Sequence, residues 1–253
     1  MRFLMAGLSD IGRKRDLNED SFLAAEISLD STADGPGYLL AVADGIGGHL
    51  AGEVASAAAV ETLRTVVAGR LAAAGPIPEL AAILREAFAL ANEEVFRRAS
   101  ATTHLNGMGT TLVAVLAAGG KAAAANVGDS RLYLVRDETL TQISVDHSWA
   151  AEQIRQKLMA DADIQRSPFR NVVTRSIGGA EKPDVDTFEI DLHSGDLLLL
   201  ASDGLFGPLE EKALLKPFRR RRKPAHICHA LVRAANKAGG RDNLTAVIAA
   251  VVA

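Results

Sequence analysis

Three apolar runs in this chain stop at an aspartate that touches a glycine. They are Leu39–Ala43 before Asp44 and Gly45, Ala123–Val127 before Gly128 and Asp129, and Leu197–Ala201 before Ser202, Asp203 and Gly204. Short apolar runs bounded by turn residues read as buried strands. Each run is therefore expected to deliver a carboxylate to the end of a strand, where the backbone turns. One such Asp is an ordinary turn residue, but three after three buried strands point to one shared acidic site. Clustered carboxylates repel, and inside a protein they cannot all stay ionised without cations. The pattern implies a multinuclear site for hard divalent metals.

The chain has 253 residues, 48% of them hydrophobic and 23% charged, which suits one large domain with a sizeable core. Aromatic residues are only 4%, so small aliphatic side chains must fill that core. A net charge of −3 argues against a general nucleic-acid binder. Setting the candidate metal-ligand aspartates aside leaves a slightly basic remainder, compatible with anionic substrates. The single cysteine, Cys228, rules out an internal disulfide and a Cys-based zinc site. His226 and His229 beside it fit an amphipathic helix better than a metal site. No signal peptide opens the chain and no apolar stretch reaches membrane-spanning length. A soluble cytoplasmic protein, monomeric and without membrane contacts, is the expectation.

Neither repeats nor low-complexity tracts are visible. Strand-like segments at about 3–9, 20–28 and 38–44 are followed by helical patterns near 52–68 and 78–99. Hairpins are expected over 110–127 and 131–143. A polar helical segment over about 148–160 leads to a loop ending near 170. Strands near 185–191 and 196–202 precede helices near 209–217 and 225–238, and an apolar strand spans Leu244–Val252. Strands grouped in hairpins and helices grouped in pairs indicate an α+β fold of antiparallel sheets with outer helices.

Asp44-Gly45-Ile46-Gly47-Gly48-His49 mimics a dinucleotide-binding glycine loop, but Leu50 breaks the spacing and Asp44 would face the pyrophosphate with like charge. A glycine after the Asp has another use, because its carbonyl can approach a metal without hindrance. Arg15 to Ser21 brings two further carboxylates, Glu19 and Asp20, into a strand, and Asp242 precedes the final one. Each segment alone is a plausible charged turn.

Taken in order, the motifs Arg15-x-x-Asn18-Glu19-Asp20, Asp44-Gly45-x-Gly47-Gly48-His49, Gly107-Met108-Gly109-Thr110-Thr111, Gly128-Asp129-Ser130-Arg131, Asp146-His147-Ser148, Ser202-Asp203-Gly204-Leu205 and Asp242-Asn243 resemble those of the metal-dependent protein phosphatases. This is the type 2C (PPM) Ser/Thr class in its bacterial form, and the resemblance covers residues 5 to 250. It implies one domain over 1–253: a four-layer sandwich of two antiparallel sheets flanked by helix pairs, with a flap at about 148–170. It also implies two Mn2+ or Mg2+ ions. Asp44 would bridge them, with Asp20 and the Gly45 carbonyl on the second and Asp203 and Asp242 on the first. Asp129, with Asp203, matches the ligands of a third, weaker metal in bacterial members, and Glu19 ranks below Asp20. The implied reaction is attack of a metal-bridging water on phosphoserine or phosphothreonine. Arg15 would clamp the phosphate. His49 matches a bacterial variant that assists substrate or leaving group, because Ile46 stands where some members carry a histidine.

The expected partners are phosphoproteins, a Ser/Thr kinase and its targets among them. Two other readings use the same residues. A catalytically silent relative serving as a scaffold would be marked by lost carboxylates, yet all five aspartates are present. A two-metal nuclease would need a basic face. The Arg219–Lys223 run is unusual in so acidic a chain; a solvated helix end is the simplest account and docking of an acidic partner the other.

Overall fold

The computed structural model describes residues 2–28, 35–46, 51–73, 79–101, 103–157, 159, 161–219 and 223–252. In chain order the elements are β1 (Arg2–Asp10), β2 (Asp20–Ile27), β3 (Gly37–Ile46), α1 (Gly52–Ala72), α2 (Leu80–Ala101), β4 (Gly109–Thr110), β5 (Leu112–Ala118), β6 (Lys121–Val127), β7 (Arg131–Arg136), β8 (Thr139–Gln142), α3 (Trp149–Gln156), α4 (Asp161–Arg166), β9 (Asp186–Ile190), β10 (Leu197–Ala201), α5 (Asp203–Phe206), α6 (Glu211–Leu215), α7 (Pro224–Lys237) and β11 (Leu244–Val252). A short 3-10 turn, Thr103–Leu105, follows α2.

Side chains alternate across a strand, so each strand that is buried on both faces feeds two cores. Along β3, Leu39, Ala41 and Ala43 pack with α1 and α2, while Tyr38, Leu40 and Val42 face the opposite sheet. Along β11, Val247, Ala249 and Val251 face between the sheets, and Leu244, Ala246 and Ile248 pack with α5, α6 and α7. Three apolar cores therefore separate four layers, in the order helix, sheet, sheet, helix. The first sheet runs β1-β11-β10-β7-β8 and the second β2-β3-β5-β6-β9, with β4 paired to β3. Every pairing is antiparallel. The α+β sandwich expected from the element order is the observed architecture. Ala55, Ala58 and Ala59 of α1 and Ala87 and Ala91 of α2 are buried, so the helix layer sits close on its sheet, which suits a core poor in aromatics.

Several boundaries differ from expectation. Asp44 does not end its strand: β3 continues to Ile46 because Gly45 and Ile46 pair with Thr110 and Gly109. The strand expected from residue 110 is interrupted at Thr111, whose amide donates to the Asp44 carbonyl at 2.9 Å instead of joining a ladder. The helix expected near 209–217 is the shorter α6, and an additional short helix, α5, precedes it and ends before Pro208, which cannot continue it. α3 stops at Gln156 because Lys157 adopts a left-handed conformation (φ 54°), and α4 occupies what the polar sequence suggested was loop. The Arg219–Lys223 run lies only partly within the described residues.

Leu200 is fully buried between the sheets. Leu200→Ala is expected to lower stability by about 2–5 kcal/mol through the cavity it leaves. Urea unfolding would read this as a lower midpoint at unchanged slope.

Candidate metal centre

The register of the second sheet sets the first two carboxylates face to face, since Asp20 of β2 lies opposite Asp44 of β3. Two hydroxyls from the other sheet then fix Asp20. Ser202 Oγ, at the end of β10, donates to Asp20 Oδ2 at 2.8 Å, and Thr245 Oγ1 of β11 donates to the same atom at 2.5 Å. Asp20 Oδ1 is buried with no partner. A buried oxygen without a donor is costly, so this atom is suited to a cation.

The backbone of Asp44 is held as firmly. Its amide donates to Thr111 Oγ1 at 2.9 Å, and its carbonyl accepts from Thr110 Oγ1 at 2.8 Å. Thr111 Oγ1 also meets Ser130 Oγ at 2.7 Å, tying this strand to the Gly128–Asp129 turn. Gly128 sits at φ 105°, and a side chain there would strike Thr111. Gly45 has no room for a Cβ either, because Gly52 and the Glu19 carbonyl lie against its Cα. The glycine after Asp44 is thus required by close packing against protein backbone. What it approaches here is the start of α1 and the strand β2.

Ser202 precedes α5 and Asp203 is that helix's first residue. Gly204 lets this turn press onto Asp242 and Asn243, since a Cβ at Gly204 would overlap the Asn243 carbonyl. Asn243, itself buried, organises the opposite wall. Its Oδ1 accepts from the Glu19 amide at 2.8 Å, and its Nδ2 donates to the carbonyls of Ile11 and Leu17, each at 3.0 Å. These bonds fold the Ile11–Glu19 loop over the end of β11. Arg15 in that loop donates from Nη2 to Asp242 Oδ2 at 2.8 Å, with Nη1 3.6 Å from Glu19 Oε2. Hydrogen bonding to Asp242 raises the Arg15 pKa further.

Electrostatically these carboxyls act as one group. Burial pushes Asp20 up to about 7, against the two hydroxyl hydrogen bonds and with repulsion from Asp203 and Asp242. Burial, then Asp203 and Asp146, push Asp129 up to about 7 as well. Asp44 is raised well above the ordinary range by burial and by Asp20, Asp203, Asp129 and Asp242. Asp203 is raised by burial and Asp242, and hydrogen-bonds the Asp44 carboxyl. Glu19 is raised by burial, with Arg15 opposing. Asp44, Asp129 and Asp203 are only partly buried, so the cluster keeps an edge in contact with solvent.

Among the described residues no three His, Cys, Asp or Glu side chains stand already grouped as a closed ligand set. The carboxyls are turned onto protein donors instead: Asp20 onto two hydroxyls, Asp242 onto Arg15, Asp203 onto Asp44. The donor set still fits hard divalent cations, being all oxygen, desolvated and charge-crowded, with one orphaned atom aimed inward. Thus Asp20, Asp44, Gly45, Asp129, Asp203, Asp242 and Arg15 are all brought to one end of the sandwich. His49 lies outside the described residues, with Gly47 and Gly48.

Sequence reasoning passed over Thr245 and the role of Asn243. Thr245 was detectable as a polar residue within an apolar strand. Asp146-His147-Ser148 proves to be scaffolding. Asp146 receives Arg131, with Nη2 at 2.6 Å, and Ser148 caps α3 by accepting from the Ala151 amide. His147 Nδ1 accepts from the Gly128 amide at 3.2 Å, which leaves the Nε2 proton for Asp186 Oδ2 at 3.1 Å.

A sequence model of the family described as protein phosphatase 2C matches residues 12–248. The chain is 35% identical over 240 residues to the serine/threonine phosphatase stp of Listeria monocytogenes, spanning 95% of this chain and 92% of that protein. It is also 35% identical over 247 residues to the serine/threonine protein phosphatase PstP of Mycobacterium tuberculosis, spanning 98% of this chain and 45% of PstP. The solved catalytic domain of PstP, in complex with two manganese ions, superposes with a TM-score of 0.82 at 33% identity over 99% of each chain. With the carboxylate-lined end of the sandwich and these likenesses together, the chain belongs to the protein phosphatase 2C family and is a metal-dependent protein serine/threonine phosphatase of the bacterial type.

Proposed function

We propose that the cleft floored by Asp20, Asp44, Asp129, Asp203 and Asp242 is the centre where phosphoserine and phosphothreonine are hydrolysed. The observation that carries this is the orphaned Asp20 Oδ1 inside a cluster whose neighbours are forced toward protonation. Asp20, Asp44, Asp203, Asp242 and the Gly45 carbonyl would hold two Mn2+ or Mg2+ ions, and Asp129, with Asp203, would serve a weaker third. When bound, the metals supply the positive charge that polarises a phosphoryl oxygen and makes water nucleophilic near neutral pH.

The protein's own contribution is placement. Ser202 and Thr245 hold Asp20 in one rotamer, Thr110 and Thr111 hold the Asp44 backbone, and Asn243 holds the loop that carries Arg15. Arg15 stands at the rim of the cluster with a planar fork suited to two phosphoryl oxygens. Its present bond to Asp242 is exposed enough to be exchanged for a substrate anion. We assign the segment over about 148–170, beside the Gly128–Asp129 turn, to substrate selection, and phosphoproteins, including a Ser/Thr kinase and its targets, to the substrate class. The chain is read as a single domain acting as a monomer. No helix among the described residues is long and apolar enough to cross a membrane.

A phosphothreonine peptide and p-nitrophenyl phosphate should both be hydrolysed with Mn2+ and spared with EDTA. Asp44→Ala or Asp203→Ala should abolish turnover while circular dichroism stays native; retained turnover in either would discard the assignment. Thr245→Val removes one of the two donors behind Asp20, together with the hydroxyl contact to Ser9. It should raise the Mn2+ concentration for half-activation by about 10–100-fold, as loss of an outer-shell partner typically does.

The metal-free protein should also respond to pH in a definite sense. A carboxyl whose folded pKa is raised binds more protons in the folded than in the unfolded state between the two values, so stability falls as pH rises through that window. For Asp20 and Asp129 the window runs from the ordinary carboxylate range to about 7. Burial lowers the His147 pKa, which acts oppositely below the ordinary histidine value. Thermal melts of EDTA-treated protein should therefore show a higher Tm at pH 5 than at pH 8. The slope should be shallower in Asp20→Asn and cancelled by Mn2+; equal slopes in wild type and Asp20→Asn would contradict the crowding described here.

A further inference from the structure

Between Glu211 and Asp242 the chain contains no acidic residue, yet ten of its 28 lysines and arginines fall there. That segregation is unusual in a chain of net charge −3. Part of it forms a surface. His226, His229, Arg233 and Lys237 recur at intervals of three and four along α7, so they share one face, and all four are exposed. At 1.5 Å per residue the stripe is about 16 Å long.

The stripe is not flat. Leu8, Asp10, Gly12 and Arg13 rise opposite Arg233 and Lys237 and enclose a groove of about 710 Å³. A second hollow of about 390 Å³, lined by His226, His229, Ala230 and Arg233, extends it along the helix. The one carboxylate in the wall, Asp10, is occupied by the Asn236 amide at 3.0 Å and the Gly12 amide at 2.9 Å.

The helices of the other layer neutralise their exposed arginines, although Arg2, Arg155, Arg166, Arg170 and Arg241 also stand outside the ion pairs found among the described residues. On α1 and α2, Arg64 pairs with Glu61 at 2.6 Å, Arg97 and Arg98 with Glu94 at 2.9 and 2.6 Å, and Arg70 with Glu86. Among the described residues no ion pair involves Arg13, Arg233 or Lys237. The groove also leads to the metal centre. The Arg13 amide donates to the Gly240 carbonyl at 2.7 Å, and two residues further on each strand Arg15 meets Asp242.

We propose that this groove is a docking track for an acidic stretch of the phosphoprotein substrate, remote in sequence from the phosphorylated residue. The proposal rests on the placement of the phosphate site given above. Charge complementarity selects the occupant: an extended chain advances about 3.3 Å per residue, so about five residues rich in Asp, Glu or phosphate would span the stripe. Continuity with the phosphate site favours a substrate segment over a nucleic acid or an anionic membrane, neither of which needs to end at Arg15. Docking of this kind lowers KM for selected substrates and leaves the chemical step alone.

The test compares three substrates on the full chain with Mn2+: p-nitrophenyl phosphate, a phosphothreonine peptide with a remote glutamate tract, and the same peptide with glutamine in the tract. The tract is placed on either side of the phosphothreonine in separate peptides. Wild type should prefer one glutamate peptide by about tenfold in kcat/KM, through KM, and the preference should shrink as salt rises past the screening length of about 8 Å at physiological ionic strength. Arg233→Glu/Lys237→Glu should lose the preference and keep wild-type turnover of p-nitrophenyl phosphate. Equal use of all peptides by wild type, or a preference that survives the double variant, would overturn the docking track. Binding of anionic vesicles or DNA that depends on these two residues, without any peptide preference, would overturn it as well. Loss of p-nitrophenyl phosphate turnover by wild type would instead indict the placement of the catalytic centre.

Discussion

The carboxyl of Asp20 belongs to one sheet and is held by hydroxyls of the other. Ser202 and Thr245 reach it from β10 and β11, across the same interface that Leu40, Val42, Leu200 and Val247 fill with apolar side chains. The apolar contacts bring the sheets together without dictating their angular fit, because dispersion and burial are non-directional. The buried hydrogen bonds at the acidic end are directional, so they fix how the two sheets meet where five carboxyls crowd. Packing and chemistry are thus joined at one residue. The sandwich presses like charges together, and the charges favour divalent cations at that end.

The sequence disclosed the layers readily. The continuous apolar runs of β3, β5, β10 and β11 marked strands buried on both faces, and helix-period patterns marked α1, α2 and α7. The five aspartates were legible because each sits at a motif that a strand or turn must present. What escaped was tertiary in origin. Nothing local announces that Thr245 will face an acid rather than the helix layer, or that Asn243 will gather three backbone groups of a distant loop. The interruption at Thr111 arises likewise from partners far along the chain. Thr111 leaves the ladder because Asp44 and Ser130 claim its polar groups.

Several motif residues to which the sequence assigned no role turn out to be supports. Arg131 grips Asp146 and lies 4.0 Å over the Phe206 ring, joining the Asp129 turn to the helix layer beyond. His147 links Gly128 to Asp186 of β9, and its carbonyl accepts from the Thr174 amide, next to Arg175, which also pairs with Asp186. The segment between Trp149 and Thr174 is therefore anchored at both ends on the turn that carries Asp129.

The pairing of β1 with β11 fixes an order in time. These strands are aligned over nine residue pairs, from Arg2 with Val252 to Asp10 with Leu244, and β11 also lies between β1 and β10. During synthesis β1 must wait, without its neighbour, until nearly all the intervening chain has emerged, since contacts this remote form late. Asp242 arrives in the same final stretch. A polypeptide cut short before residue 242 would lack both an interior strand of this sheet and a member of the acidic cluster.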